Sequence, residues 1–353
     1  MMKRCINCFR DSVIRNIIKS YGSRGNCDFC SSKDIEIFDI SEPQNLISDK
    51  ITSLIQIYTS SDCKDARPLK EILRDEWDIF SGGAEGINAL VKALCSVELG
   101  EDNDVFTKNV SIDRLHDLEY IKEYSVIRGL TWKQFSEAIK YSNRFFSSNF
   151  NEDVFASFLS MAQKKYDVGT NFYRARITSN PKGFLCDEMY SPPIGKRNAG
   201  RVNPEGIGVL YLSTDEKTVL NETRVTAYDY VTIGEFKSKK ALKVVNLSEI
   251  SRISPFLYEE DFERYALNRQ VFQEMASEIA KPVRRNDSPL EYLPTQYISE
   301  FVKSQGYDGV EFESTLKKGG INIALFDESL VECICVKTIE VINVEYVLKN
   351  PQS

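Results

Sequence analysis

Histidine is nearly missing from this chain: among 353 residues there is one, His116. That scarcity excludes a good deal of chemistry. A Ser-His-Asp or Cys-His mechanism would have to run through this single side chain. Zinc hydrolases use several histidine ligands and are nearly excluded as well. A nuclease site of the Arg-x4-His type needs Arg at position 111, where Ser111 stands. The setting Arg114-Leu115-His116-Asp117-Leu118 reads as an exposed helix or turn, so His116 is expected to be structural or on the surface.

Other absences narrow the class further. No apolar run approaches the roughly 20 residues needed to span a bilayer. The start, Met1-Met2-Lys3-Arg4-Cys5, leads into charge and not into an apolar signal core. The expectation is a soluble, cytoplasmic protein with no membrane partner. An excess of basic charge is missing too. The formal net charge is -7, which argues against a nucleic-acid-coating role, because such proteins neutralise many phosphates. The first 24 residues are the exception, with Lys3, Arg4, Arg10, Arg15, Lys19 and Arg24 against Asp11 alone. They mark either an anionic partner or, as we read them, a solvated helix face. There is no low-complexity linker and no internal repeat. A chain that is 42% apolar and 27% charged has the composition of a folded protein. Its length allows two domains, or three small ones.

What is present is first of all cysteine. Nine is an odd number, and four lie within the first 30 residues. Cys5-x2-Cys8 and Cys27-x2-Cys30 are separated by 18 residues. This is the spacing of a structural zinc site, in which four thiolates close a tetrahedral shell and leave no position for water. We take Cys5, Cys8, Cys27 and Cys30 as zinc ligands. Cys63, Cys95, Cys186, Cys333 and Cys335 lack that spacing. Cys333 and Cys335 stand two apart in a strand and are expected on one side, as small core residues.

The pattern of apolar residues divides the chain at about 40 and 168. Residues 1–40 form a zinc-ribbon-like unit, with helical spacing at Val13, Ile14, Ile17, Ile18 and Tyr21 and a strand at Ile35–Ile40. Residues 41–168 read as mostly helical: Leu46 to Tyr58, a stretch opening at Pro68, Ile87 to Cys95, one opening at a Thr131/Gln134 capping box, and Asn151 to Lys165. From residue 169 to 353 the texture is α+β. Strands are expected at Phe172–Ile177, Ile207–Ser213, Leu242–Leu247, Ile321–Phe326, Val331–Val336 and Val341–Val347, with helices near Glu216–Tyr228, Tyr258–Glu278 and Leu293–Gln305.

The candidate chemistry lies in this last part. Tyr173-Arg174 falls in its first strand. The turn-rich loop Gly200-Arg201-Val202-Asn203-Pro204-Glu205-Gly206 runs into the strand Val209-Leu210-Tyr211-Leu212-Ser213. Glu222 follows nine residues after Ser213, on the next helix, and Ser314 and Asn322 flank Gly319-Gly320. Arginine forks match phosphate oxygens bidentately, so two arginines and one carboxylate of interest suggest an anionic substrate. Each residue also has a plain structural reading. Arg174 could be a surface strand residue, Arg201 could pin the loop, and Glu222 could be a solvated helix residue.

Taken together and in this order, these motifs resemble the RES domain, named for its arginine, glutamate and serine. The resemblance runs from about 170 to 340. It continues through Leu293-Pro294-Thr295-Gln296-Tyr297, Gly306-Tyr307-Asp308-Gly309-Val310, Ser314 and Asn322-Ile323-Ala324-Leu325-Phe326. The cysteine unit and the segment Glu76-Trp77-Asp78-Ile79-Phe80-Ser81 resemble the HEPN/RES N-terminal domain that precedes it in longer members. The resemblance implies a fold like that of ADP-ribosyltransferases and cleavage of the nicotinamide–ribose bond of NAD+, as glycohydrolase or phosphorylase. It also implies the role of a bacterial toxin or anti-phage effector, with an antitoxin or other regulatory protein as partner. It puts the family's catalytic residues at Arg174, Arg201, Tyr211, Glu222 and Ser314, and substrate contacts at Tyr173, Asn203 and Asn322. Val202, and the stretch 177–199 with Pro192-Pro193 and Lys196-Arg197, depart from the family pattern and bear on substrate detail. Two other readings stay open at this point: a mono-ADP-ribosyltransferase that modifies a macromolecule, and a zinc-dependent binding module with an inactive RES domain.

Overall fold

The computed structural model describes residues 3–41, 45–193, 195–257, 261–281 and 288–345. The chain divides into two compact units, Met1–Ser125 with Ile253–Asn268, and Val126–Arg252 with Arg269–Ser353.

In the first unit, strands β1 (Lys3–Cys5), β2 (Arg24–Gly25) and β3 (Ile35–Asp39) form a sheet of order β1-β3-β2, and helix α1 (Ser12–Ser20) intervenes in sequence. Asp11 caps α1 by accepting from Val13 N and Ile14 N at 2.9 and 3.0 Å. The apolar stripe read from the sequence is a real face: Ile14 and Ile18 are buried with Phe9, Ile37 and Phe38. Helices α2 (Leu46–Ile55), α3 (Leu69–Asp75), α4 (Ala84–Leu99) and α5 (Leu118–Tyr124) follow, with three short strands, β4 (Thr59–Ser60), β5 (Arg67–Pro68) and β6 (Asn109–Ser111). Residues 253–268 belong here because Tyr265 stacks on Trp77 at 5.7 Å and Asn268 Nδ2 donates to Tyr124 O at 2.8 Å. His116 sits exposed in a single turn of 3-10 helix.

The second unit begins with α6 (Trp132–Tyr141), opened by the Thr131/Gln134 capping box, and α7 (Glu152–Leu159). Its centre is an eight-stranded mixed sheet. In chain order the strands and helices are β7 (Gln163–Tyr166), β8 (Asn171–Thr178), β9 (Leu210–Ser213), α8 (Glu216–Thr223), β10 (Tyr230–Ser238) and β11 (Leu242–Asn246). Then come the part of α9 (Phe262–Ala280) from Arg269 onward, α10 (Leu293–Ser304), β12 (Gly309–Glu313), β13 (Ile321–Leu325) and β14 (Val331–Glu340). The strand order is β14-β10-β8-β9-β13-β12-β11-β7, and only β11 and β12 run parallel. Phe172, Met189, Leu210, Leu212, Phe236, Ile323 and Leu325 form the core on it.

Several sequence expectations change here. The boundary expected at 168 is not where the compact units part: residues 126–168 go with the sheet. The reason is aromatic packing. Phe150 lies 5.3 Å from Phe155 and Tyr297 and 5.4 Å from Phe301, and Phe158 lies 4.8 Å from Phe272. The helix expected through Lys165 stops at Leu159, and Gln163–Tyr166 becomes an edge strand antiparallel to β11. From that edge Lys164 and Tyr166 both bond the wholly buried Glu311, which Asn246 also satisfies. The strand expected at 341–347 is not regular over 341–345, and 346–347 lie outside the described residues. Cys333 is buried but Cys335 is exposed, because a bulge at Glu235/Phe236 shifts the β10–β14 register between them.

Candidate active site

The loop after residue 199 closes on itself before it meets anything else. Gly200 N donates to Asn203 O at 2.9 Å. Asn203, almost wholly buried, then spends its amide inside the loop: Nδ2 donates to Asn198 O, Pro204 O and Ile207 O at 3.0, 3.2 and 3.0 Å. Its Oδ1 accepts from the Tyr211 hydroxyl at 2.8 Å, and the same hydroxyl accepts from Val202 N at 3.3 Å. Burial raises the Tyr211 phenol above its ordinary range, so it stays a neutral donor. Helix α10 grips the loop from its buried face. Gln296 Nε2 donates to Gly200 O and Asn203 O at 2.7 and 2.9 Å, and Thr295 Oγ1 donates to Arg201 O at 2.7 Å. These two residues belong to the Leu293–Tyr297 motif, and sequence reasoning gave them no role. Polar side chains at Thr295 and Gln296 on the helix face that also carries Ile298, Phe301 and Val302 were the signal.

Gly200 is required by space. A Cβ there would fall 2.5 Å from both Asn203 Oδ1 and the Tyr211 hydroxyl. Gly200→Ala is therefore expected to cost about 1–3 kcal/mol, as overpacking does, and to lower the denaturation midpoint. An unchanged midpoint would mean that the loop does not hold this closed form.

The carboxylate is built with equal care. Asp215 caps α8 by accepting from Thr218 N at 3.0 Å, and Lys317 Nζ lies 2.6 Å from Asp215 Oδ1. Glu222, half-buried in the last turn of α8, accepts at Oε1 from Ser314 Oγ at 2.6 Å and from Asn322 Nδ2 at 2.9 Å. Asn322 is fixed in turn by Ser213, whose hydroxyl donates to Oδ1 at 2.6 Å. Ser314 Oγ also accepts from Leu316 N and Lys317 N at 3.2 and 3.1 Å. The turn between β12 and β13 thus holds α8 at both ends, and two donors orient Glu222 while its Oε2 takes no bond among the described residues.

Arg174, Gly200, Arg201, Tyr211, Glu222 and Asn322 line one cavity of about 320 Å³. Five of the eight candidates drawn from the sequence therefore meet around one space. Arg174 Nη1 is sealed from solvent and has no hydrogen-bond partner among the described residues. Burial, then the charge of Arg176, push Arg174 down to about 10, against the opposing pull of Glu328 and Tyr211; it remains a cation at neutral pH. An unpaired buried cation is costly, and an anionic ligand would satisfy it. Arg201 differs. Its Nη1 donates to Ile279 O and Ala280 O at 2.9 and 3.0 Å, where a cation suits the carbonyl end of α9. Asn203 and Ser314 are not among the residues that line this cavity, and their bonding positions them behind it. Tyr173 does not line it either; it pairs with Ser213 in the sheet.

A second cavity of about 220 Å³ shares Arg174, Gly200 and Tyr211 with the first and adds Lys196, Arg197 and Asn203. The arrangement offers an arginine with one sealed nitrogen on a wall shared by two cavities, and a braced carboxylate in one of them.

In the first unit a second cluster stands apart in chemistry. The sulfurs of Cys5, Cys8, Cys27 and Cys30 lie within 4.8 Å of one another. Neighbouring separations are 3.9, 3.3 and 3.6 Å for Cys5–Cys8, Cys5–Cys30 and Cys8–Cys27.

Comparison with known proteins agrees with the second unit's motifs. Residues 172–346 match the family model described as RES domain. The model covers none of the cysteine unit or the helical segment before it. Among curated proteins nothing matches. One solved structure with a similar chain is the M. tuberculosis MbcT–MbcA toxin–antitoxin complex, at 12% identity and a TM-score of 0.33, covering 52% of this chain and 91% of that one. Among the described residues no helix is long and apolar enough to cross a membrane.

Proposed function

We propose that the second unit cleaves the nicotinamide–ribose bond of NAD+, and that the protein acts as the toxin of a toxin–antitoxin pair, as the match of residues 172–346 to the RES domain suggests. One observation carries the chemical part: a half-buried arginine with a sealed, unpartnered Nη1 shares its cavity with a carboxylate braced by two donors. Nicotinamide in NAD+ already carries positive charge and leaves without a general acid. The transition state is then oxocarbenium-like, as in glycoside hydrolysis. The protein must hold the diphosphate, limit water and put negative charge beside the ribose. Arg174 does the first from the junction of the two chambers. Glu222 does the last, with Ser314 and Asn322 fixing its orientation. Tyr211 keeps the Gly200–Asn203 turn closed and presents its ring to the cavity. No histidine enters. Water as acceptor gives ADP-ribose, and phosphate gives its phosphorylated counterpart; the mass of the product identifies which.

The direct test is incubation of NAD+ with the purified protein, with and without phosphate, and measurement of free nicotinamide. Intact NAD+ at high enzyme concentration with either acceptor sinks the reading. Label that stays on a macromolecule would favour ADP-ribosyl transfer instead. Arg174→Met adds a second check. Loss of a charge-assisted contact worth about 1.5–3 kcal/mol lowers kcat/KM roughly 10- to 150-fold. The same change is expected to raise Tm, because it removes a buried cation that the free protein leaves unpaired. A variant that is both less active and less stable would argue for a purely structural arginine.

For the cysteine cluster we infer a structural zinc ion. A tetrahedron with Zn–S near 2.3 Å has sulfur–sulfur edges of about 3.8 Å, close to the separations above. Phe29 N and Cys30 N both point at Cys27 Sγ at 3.4 Å, as donors to a thiolate would.

A further inference from the structure

Ser191 Oγ is sealed from solvent and has no hydrogen-bond partner among the described residues. The Ser191 N–H donates to Glu328 Oε2 at 2.9 Å. Both residues line a third cavity, of about 230 Å³, with Arg197, Gly208 and Asp327. Arg197 and Gly208 also line the second cavity, which shares Arg174, Gly200 and Tyr211 with the first. The three spaces are therefore successive chambers with common walls, Glu222 at one end and Glu328 at the other. An arginine stands at each junction. Gly208 keeps the second junction open to Arg197, since a Cβ there would fall 2.5 Å from the guanidinium. The Glu328 carboxylate is close enough to Arg174 for its charge to be felt there.

A track with an acid at each end and cations between suits a ligand with an anionic middle and hydroxyl-bearing ends. Resting on the reading that the substrate is NAD+, we propose that Glu328 is its specificity determinant: with Ser191 it binds the hydroxyls of the adenosine ribose and selects NAD+ over NADP+. A carboxylate accepts from a vicinal diol but repels a 2′-phosphate, the same physics by which acidic side chains read that ribose in other dinucleotide sites. Asp327 adds to the repulsion. Arg197, whose Nε donates to Pro192 O at 2.8 Å, lines the same cavity and its charge offsets part of that repulsion.

Glu328→Gln tests this while keeping an acceptor for the Ser191 N–H. The wild-type protein is expected to favour NAD+ over NADP+ by about 10²-fold or more in kcat/KM, since like-charge juxtaposition costs several kcal/mol. Glu328→Gln should cut that ratio roughly tenfold, mainly through KM. Binding is measured separately, by calorimetry with ADP-ribose and 2′-phospho-ADP-ribose, and should show the same order. Equal preference in wild type, or a ratio that Glu328→Gln leaves unchanged, overturns the proposal. Discrimination in binding without cleavage of either dinucleotide supports it and sinks the proposed reaction instead.

Discussion

Glu222→Gln is expected to abolish NAD+ cleavage while leaving the fold and the affinity for substrate almost untouched. The glutamine keeps the acceptor oxygen, so Ser314 Oγ and Asn322 Nδ2, now 2.6 and 2.9 Å from Oε1, keep their bond. Only the charge goes. Two unit charges about 4 Å apart interact by about 4 kcal/mol at an effective dielectric near 20. If that attraction is realised chiefly as positive charge spreads over the ribose, kcat falls about 10³-fold and KM barely moves. Glu222→Ala should differ in kind. It strands the Ser314 hydroxyl and the Asn322 amide, each costing about 1–3 kcal/mol when left unpaired, so activity and Tm fall together. Growth arrest on expression, if NAD+ loss causes it, should disappear with Glu222→Gln at unchanged protein level. A glutamine variant that keeps a tenth or more of the wild-type rate would remove the carboxylate from the chemistry.

The pair of variants matters because the site is a set of braces as much as a set of contacts. That distinction was only partly legible in the sequence. The order Arg174, Gly200-Arg201, Tyr211, Glu222, Asn322 pointed to one place, and these residues do line one cavity. Sequence could not say which of them faces a ligand and which holds a neighbour, because that depends on where each polar atom finds its partner. From motif alone Ser314 read as a catalytic residue and Asn203 as a substrate contact; in the fold their polar atoms bond the loop, Glu222 and the β12–β13 turn. Arg201 divides its role, lining the cavity while its Nη1 caps α9. The regular elements were easier, since capping residues and apolar periods act locally. β10 escaped notice although it lies inside the sheet. Its run Tyr230–Ser238 opens on the strand-forming Tyr-Val-Thr-Ile, but Gly234, Glu235 and Lys237 interrupt the apolar pattern that β8 and β14 complete by pairing on either side.

Removal of zinc should have the other large effect, on stability in the first unit. The sheet β1-β3-β2 has strands of three, five and two residues, too few ladder bonds to stand on their own. Cys5 and Cys8 are wholly buried, as are Ile6 and Phe9 beside them, so four thiols without a cation would leave polar sulfur packed against itself. A structural zinc contributes about 10–16 kcal/mol in isolated finger peptides at neutral pH. The gain should be smaller here, because Ile14, Ile18, Ile37 and Phe38 are buried in an apolar core besides the metal site. We expect one zinc per chain, and a loss of several kcal/mol from this region on chelation or in Cys8→Ser. Hydrogen exchange reads it directly: amides of residues 3–39 should lose protection while those of β8, β9 and β13 do not. A purified protein free of metal, with the same protection in Cys8→Ser, would leave the quartet as four free thiols. The separations of 3.3–3.9 Å argue the other way, since unbridged sulfurs gain little by crowding to the edge length of a metal tetrahedron.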